Sequence, residues 1–368
     1  MKKIITAAAA LMLVASFVSA EPIPMRGVVE GFYGTPWKHR QRLDLIDFCS
    51  EHQFNAYIYA PKDDPYHRTK WREPYPAVQL DQIAELIRAA REKNVEFIFA
   101  VSPGLDLKYS DAELQSMIEK LDAIYAIGGR RFAIFFDDID DRDGKSQAQF
   151  LNRIEQNFVN KREDVGHLIT VPTEYYRLDM IAEDGSVKQY TREFSRTLDK
   201  DVLVLYTGDG VVVPKISDEQ FRAANDIYGR ELGVWWNYPV NDYMPDKLAL
   251  GPIHKLPSTL PAIFFNPMSA YELSKLALAT GAEFALDPSN YDPQSAWEKA
   301  IRDQFGELAD DMIVFAAQSQ LLKNNWANTG HVEPPSDQSK LDAAIERLKK
   351  SLPSKILREC FNQLKGVN

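Results

Sequence analysis

The sequence predicts an α/β fold, a (β/α)8 barrel followed by a small α-helical C-terminal region. Three observations carry this. Eight short runs rich in Val, Ile, Phe and Tyr alternate with helical patterns. Several of those runs are apolar at every position, as in Ala133-Ile134-Phe135-Phe136, which marks parallel strands covered on both faces. Polar or acidic residues follow nearly every run at its carboxyl end, where a TIM barrel gathers its active-site loops. A doubly wound open sheet is the main alternative.

The first twenty residues stand outside the fold. Lys2 and Lys3, a short apolar stretch to Val18, and the small residues Ser19 and Ala20 read as a secretory signal peptide cleaved near Ala20. The stretch is too short for a spanning helix, and no later segment approaches the roughly 20 apolar residues one needs. The mature chain is therefore expected to be exported, periplasmic or secreted, without membrane insertion.

The expected strands are 27–33, 55–60, 96–101, 131–136, 168–171, 202–206, 232–236 and 262–265. Helical patterns lie between them, for example over 80–93, 111–127 and 218–228, with Asp111 read as an N-cap. The seventh connection, 243–261, is proline-rich and only weakly helical. The barrel is assigned to residues 21–290. The small helical region is assigned to residues 291–368: from about residue 294 the β signal stops, and 297–305, 309–322 and 341–352 read as amphipathic helices, with a Pro334-Pro335-Ser336 turn before the last.

Charge and composition remove several classes of function. The whole chain carries −10, and losing Lys2 and Lys3 makes it two units more acidic, which disfavours a nucleic-acid partner. Cys49 and Cys360 are too few for a disulfide framework, and Cys49 sits in an apolar helical pattern expected to bury its thiol. The six histidines show no metal-ligand spacing, so no metal or other cofactor is expected. An EF-hand register through Gly144 would place Ile139 first and Phe150 last, neither of them a ligand.

The sharpest element is Asp137-Asp138, two carboxylates following an apolar strand. Repulsion and desolvation would hold one protonated beside an ionised neighbour, the division of labour glycoside cleavage needs. Strand alternation would aim one at the barrel axis and the other at the pocket rim. The competing reading is a solvated acidic loop, because Asp140, Asp141 and Asp143 follow. Lys62 is either a structural lysine or a site residue, with Asp63 and Asp64 as candidate partners. Trp235, Trp236, Tyr175 and Tyr206 are either core or sugar-stacking aromatics.

At these residues the chain resembles glycoside hydrolase family 84, the β-N-acetylglucosaminidases that include the O-GlcNAcases. The matching runs are 27–37 (GVVEGFYGTPW), 59–64 (YAPKDD), 135–138 (FFDD), 172–175 (PTEY), 207–209 (TGD), 235–242 (WWNYPVND) and 266–268 (NPM), in family order across the barrel. The resemblance implies an exo-acting retaining enzyme on β-GlcNAc-containing glycoconjugates or oligosaccharides, working through the substrate's own acetamido oxygen and an oxazoline. It implies that Asp137 orients the acetamido group and that Asp138 is general acid and then base. Tyr175 would bond the acetamido oxygen, with Thr207, Val211 and Trp235 walling its methyl group. Lys62, Asp242, Asn266 and the Gly31 carbonyl would hold sugar hydroxyls, Asn237 would support the acetamido end, and Tyr33 would line the floor. A hyaluronan- or chitin-degrading barrel and a catalytically inactive sugar-binding barrel are the alternatives.

Overall fold

A computed structural model describes residues 21–245, 247–254, 256–318 and 337–365. The expected signal segment, the Pro334-Pro335-Ser336 turn and the end of the helix expected over 309–322 lie outside the described residues. Eight strands form: β1 (Met25–Glu30), β2 (Ala56–Tyr59), β3 (Glu96–Val101), β4 (Arg131–Phe135), β5 (Ile169–Val171), β6 (Leu203–Tyr206), β7 (Gly233–Trp236) and β8 (Ala262–Phe265). Each pairs in parallel with the next, and β1 also pairs with β8, closing the barrel. The open-sheet alternative is excluded by that last pairing.

Why the strands read as continuous apolar runs is visible in their two faces. In β4, Ala133 and Phe135 point into the barrel, where they meet Val29, Ile58, Ile98, Ile169, Leu205 and Phe264. Phe132, Ile134 and Phe136 point outward into a larger layer shared with the helices. Both faces are dry, so no polar alternation survives in the sequence. The helices around the barrel are α1 (His39–Glu51), α2 (Ala77–Glu92), α3 (Asp111–Ala126), α4 (Gly144–Asn157), α5 (Gln189–Thr197), α6 (Asp218–Tyr228) and α7 (Tyr271–Leu286). Beyond them α8 (Pro293–Phe305), α9 (Ala309–Gln318), α10 (Gln338–Ser351) and α11 (Ser354–Lys365) pack in sequence, and α11 returns to α7. None of the helices described is long and apolar enough to cross a membrane.

Two local expectations are corrected. The N-cap of α3 is Ser110, whose hydroxyl accepts from the Glu113 amide at 3.3 Å, and Asp111 is the first helical residue. Strand β1 ends at Glu30 rather than at Tyr33, because the Gly31 amide turns back to the Val29 carbonyl at 2.9 Å. Residues 31–33 are thereby released into the loop that faces the site.

The seventh connection carries no helix among its described residues. Its apolar side chains, including Leu248, Leu250 and Ile253, are buried all the same. Its backbone carbonyls are satisfied by aromatic donors instead: Trp297 Nε1 to Leu250 at 2.6 Å, Tyr291 to Ile253 at 2.6 Å and Tyr238 to Gly251 at 3.0 Å. Cys49 and Cys360 are both buried free thiols.

Candidate active site

Every residue singled out for the site lines one cavity of about 450 Å³ at the carboxyl ends of the strands. Gly31 and Tyr33 follow β1, Lys62 follows β2, and Asp137 and Asp138 follow β4. Tyr175 follows β5, Thr207 and Val211 follow β6, Trp235, Asn237 and Asp242 come from β7 and its connection, and Asn266 follows β8. Val171, Val212, Val240 and Tyr243 also line it; nothing in the sequence distinguished these from ordinary apolar strand and loop residues.

Asp137 continues the inward register of Ala133 and Phe135 and is buried, 8% exposed. Its Oδ2 accepts from Lys62 Nζ at 2.5 Å, an ion pair in which the lysine side chain is 1% exposed. Its Oδ1 is also buried and has no hydrogen-bond partner among the described residues. An unpaired buried acceptor is costly unless something else donates to it. Asp63 and Asp64, the candidate partners of Lys62 along the chain, are engaged elsewhere. Asp63 accepts from the Gly34 amide at 3.0 Å, and Asp64 accepts from the hydroxyls of Tyr59 and Tyr75 at 3.1 and 3.0 Å.

Asp138 departs from strand alternation. The regular register would send it outward among the helices, but its φ of +57° places it in the left-handed region, which short polar side chains tolerate best. The chain turns there, and Asp138 lines the cavity rim as an exposed residue. Its Oδ2 accepts from Tyr33 at 2.8 Å and its Oδ1 from Tyr175 at 2.9 Å. Burial, reinforced by the charges of Asp138 and Asp137, raises both phenols far above the usual tyrosine range, so both remain donors. The two aspartates thus have unlike surroundings, a cation on one and two phenols on the other. The rest of the acidic run belongs to the loop: Asp141 accepts from Tyr109, and Asp143 caps α4 through the Ser146 amide at 2.9 Å.

The remaining wall is a connected network. Trp235 points into the barrel and donates from Nε1 to Asn237 Oδ1 at 2.7 Å. The same oxygen accepts from Asn266 Nδ2 at 3.0 Å, while Asn266 Oδ1 accepts from the Gly31 amide at 3.2 Å. Asn237 Nδ2 donates to the Val211 carbonyl at 2.9 Å, and Thr207 donates to the Gly210 carbonyl at 2.7 Å. Asp242 accepts from the Tyr33 amide at 2.8 Å; burial raises its carboxyl above the ordinary value, and the charge of Asp138 adds to this. A Cβ at Gly31 would lie 2.3 Å from the Trp235 ring, so any larger residue there must displace the indole.

Of the four aromatics left open, Tyr175 and Trp235 face the cavity, whereas Trp236 and Tyr206 belong to the outer layer. Two acidic strand-end residues also stay out of it. Asp209 pairs with Arg177 at 2.5 Å, and Glu174 accepts from Thr191 at 2.5 Å. Among the described residues no group of three His, Cys, Asp or Glu side chains is placed to hold a metal ion.

Comparison with known proteins agrees with this architecture. A family model described as beta-N-acetylglucosaminidase matches residues 26–317. The protein O-GlcNAcases of Mus musculus and Rattus norvegicus are each 36% identical over 270 residues, covering 69% of this chain and 29% of the relative. The chain thus spans under a third of the length of these curated relatives. Among solved structures, CpGH84B superimposes with a TM-score of 0.88 at 39% identity, covering 94% of this chain and 67% of that one. A Thermobaculum terrenum O-GlcNAc hydrolase variant gives 0.77 at 31% identity, covering 93% and 75%. The match across most of the chain, on the same barrel, shows that this chain belongs to the β-N-acetylglucosaminidases of glycoside hydrolase family 84.

Proposed function

We propose that the chain is a retaining exo-β-N-acetylglucosaminidase of the O-GlcNAc hydrolase type, working through substrate-assisted catalysis. The observation that carries this reading is the pair of unlike carboxyl groups at one cavity: Asp137, buried and held by Lys62 at 2.5 Å, lines it, and Asp138 stands at its rim. Asp137 accepts from the acetamido N–H. The acetamido oxygen then attacks the anomeric carbon as the glycosidic bond breaks, and Asp138 gives its proton to the departing oxygen. Positive charge develops on the acetamido group, and Asp137 stabilises it through the N–H. Water adds to the oxazoline from the vacated face, Asp138 takes its proton, and the β-configuration is restored.

Tyr175 donates to Asp138 in this structure. Binding of the sugar transfers that donor to the acetamido oxygen. Trp235, Thr207 and Val211 surround the methyl group, and Lys62, Asp242, Asn266 and the Gly31 carbonyl take the hydroxyls. The volume lies low in the range of about 300–1,000 Å³ usual for small-molecule sites, which suits one terminal sugar rather than a chain threaded through the site. Export is part of the proposal and rests on the pattern of residues 1–20; the N-terminus of the mature protein tests it.

The mechanism is tested with aryl β-glucosaminides bearing acetyl, fluoroacetyl and trifluoroacetyl groups. Fluorine makes the acyl oxygen a poorer nucleophile, so kcat should fall steeply along the series. A flat series would refute acetamido participation. No hydrolysis at all would indicate a binding protein, and a strong preference for long chains a depolymerase.

A further inference from the structure

After Lys62 the chain enters a loop that is tied down just before Arg68. Asp64 holds its start through two tyrosine hydroxyls and the Tyr66 amide at 2.9 Å. His67 is fully buried, and burial lowers its pKa to about 3, so the ring is neutral. Its Nδ1 lies 2.8 Å from the Ala100 carbonyl, which can only accept, so Nδ1 carries the proton and Nε2 accepts from Ser102 at 3.2 Å. The Ser102 amide bonds back to the His67 carbonyl at 2.9 Å. The end of β3, which supplies no residue to the cavity, thus serves as the anchor for this loop.

Arg68, fixed beside that anchor, reaches the site edge. Its Nη1 donates to the Tyr33 hydroxyl oxygen at 2.7 Å, and its Nη2 donates to the Asp138 carbonyl at 3.2 Å. Its guanidinium lies 5.3 Å from the Tyr33 ring centre. Tyr33 donates in turn to Asp138 Oδ2 at 2.8 Å. Arg68 forms no ion pair among the described residues, so its charge is directed at a phenol and at the peptide carbonyl of Asp138.

We propose that Arg68 is a positioning residue for the general acid: it polarises the Tyr33 hydroxyl that holds Asp138 Oδ2, and it pins the Asp138 peptide in the left-handed turn. This rests on Asp138 being the acid. A donor acting on a phenol oxygen makes its O–H a stronger donor, and hydrogen bonds in such a chain reinforce one another. Other groups also face Asp138. The Asp137–Lys62 pair sits alongside, Tyr175 reaches it from β5, and Asp242 reaches it from the seventh connection. Asp140 and Asp141 follow in the chain, the latter bound by Tyr109.

Loosening the turn in Arg68→Met should cost poor leaving groups about tenfold in kcat/KM while activated phenols lose under threefold, part of the roughly 10²–10⁴ that general acid catalysis supplies. Tyr33→Phe should steepen the leaving-group dependence in the same direction, and the double variant should add little. Arg68→Lys, which keeps the charge but offers no fork, should recover only part of the loss on poor leaving groups.

A loss in Arg68→Met that is equal for all leaving groups, or no loss at all, overturns the proposal, provided near-UV circular dichroism shows a folded protein. If Arg68→Met does not fold, Arg68→Lys decides: uniform loss across the leaving groups counts against it. Asp138→Asn separates the two levels. If it keeps full rates on poor leaving groups, the assignment of the acid fails and the proposal with it. If it behaves as an acid-deficient variant while Arg68 variants leave the leaving-group dependence unchanged, only the role of Arg68 is lost.

Discussion

Replacing Lys62 by Met is the perturbation whose cost can be worked most directly from the geometry. Lys62 Nζ sits 2.5 Å from Asp137 Oδ2, with side chains 1% and 10% exposed, and the other oxygen of Asp137 has no protein donor. The variant therefore leaves a carboxylate with no donor at either oxygen. Breaking a buried pair from one side costs about 3–5 kcal/mol. Because the cavity lets water approach, about 3 kcal/mol is the expected figure at pH 7, or about 1 M in urea midpoint for a chain with a slope near 3 kcal/mol per M. Urea melts at pH 7 should show that gap to the parent. The double variant Lys62→Met/Asp137→Asn, with no charge left to bury, should recover most of the midpoint at pH 7. A loss under about 1 kcal/mol, or a double variant no better than the single one, would each refute the reasoning.

Three further outcomes are expected. Asp138→Ala should slow substrates with poor leaving groups by roughly 10²–10⁴ and activated phenols far less; equal loss across a leaving-group series would contradict its role as acid. Gly31→Ala places a Cβ 2.3 Å from the Trp235 ring, so the indole must retreat by about 1 Å into the cavity at a cost of about 1–3 kcal/mol. Its kcat/KM should fall at least about tenfold, and an unchanged value would mean that Trp235 does not shape the sugar site. Glu359 on α11 accepts from the Glu272 and Leu273 amides at the start of α7 at 3.2 and 3.0 Å, and burial raises its carboxyl to about 7. Being raised above its ordinary value of 4.5, it contributes stability present below pH 4.5 and lost as pH rises through 7. Thermal melts should show that slope in the parent and a flatter one in Glu359→Gln; identical slopes would place the titrating group elsewhere.

Several features of the site were readable because they depend on local pattern. Apolar strands followed by polar residues marked which chain segments end at the same face, and the cavity collects residues after β1, β2, β4, β5, β6, β7 and β8. Other features were unreadable for reasons that can be named. Trp235 and Trp236 are neighbours of identical chemistry, and when both faces of a strand are dry the sequence carries no parity signal to tell the inner from the outer. Asp209 and Glu174 occupy strand ends like Asp138, yet Arg177 and Thr191 bind them away from the cavity, partners supplied by segments 17 to 32 residues distant. Arg68 offered no local clue, since its role exists only where the loops after β1, β2 and β4 meet.

The sequence by itself determined the alternation of strand and helix, the burial of both strand faces and the family to which the carboxylate pair belongs, because these follow from the order and chemistry of neighbouring residues. Tertiary structure alone decided that Lys62 serves Asp137, 75 residues away, rather than its neighbours Asp63 and Asp64. It also decided that a left-handed turn brings Asp138 to the cavity that strand alternation would have denied it. Both outcomes depend on closure of the barrel, which brings together charges and donors that have no fixed separation along the chain.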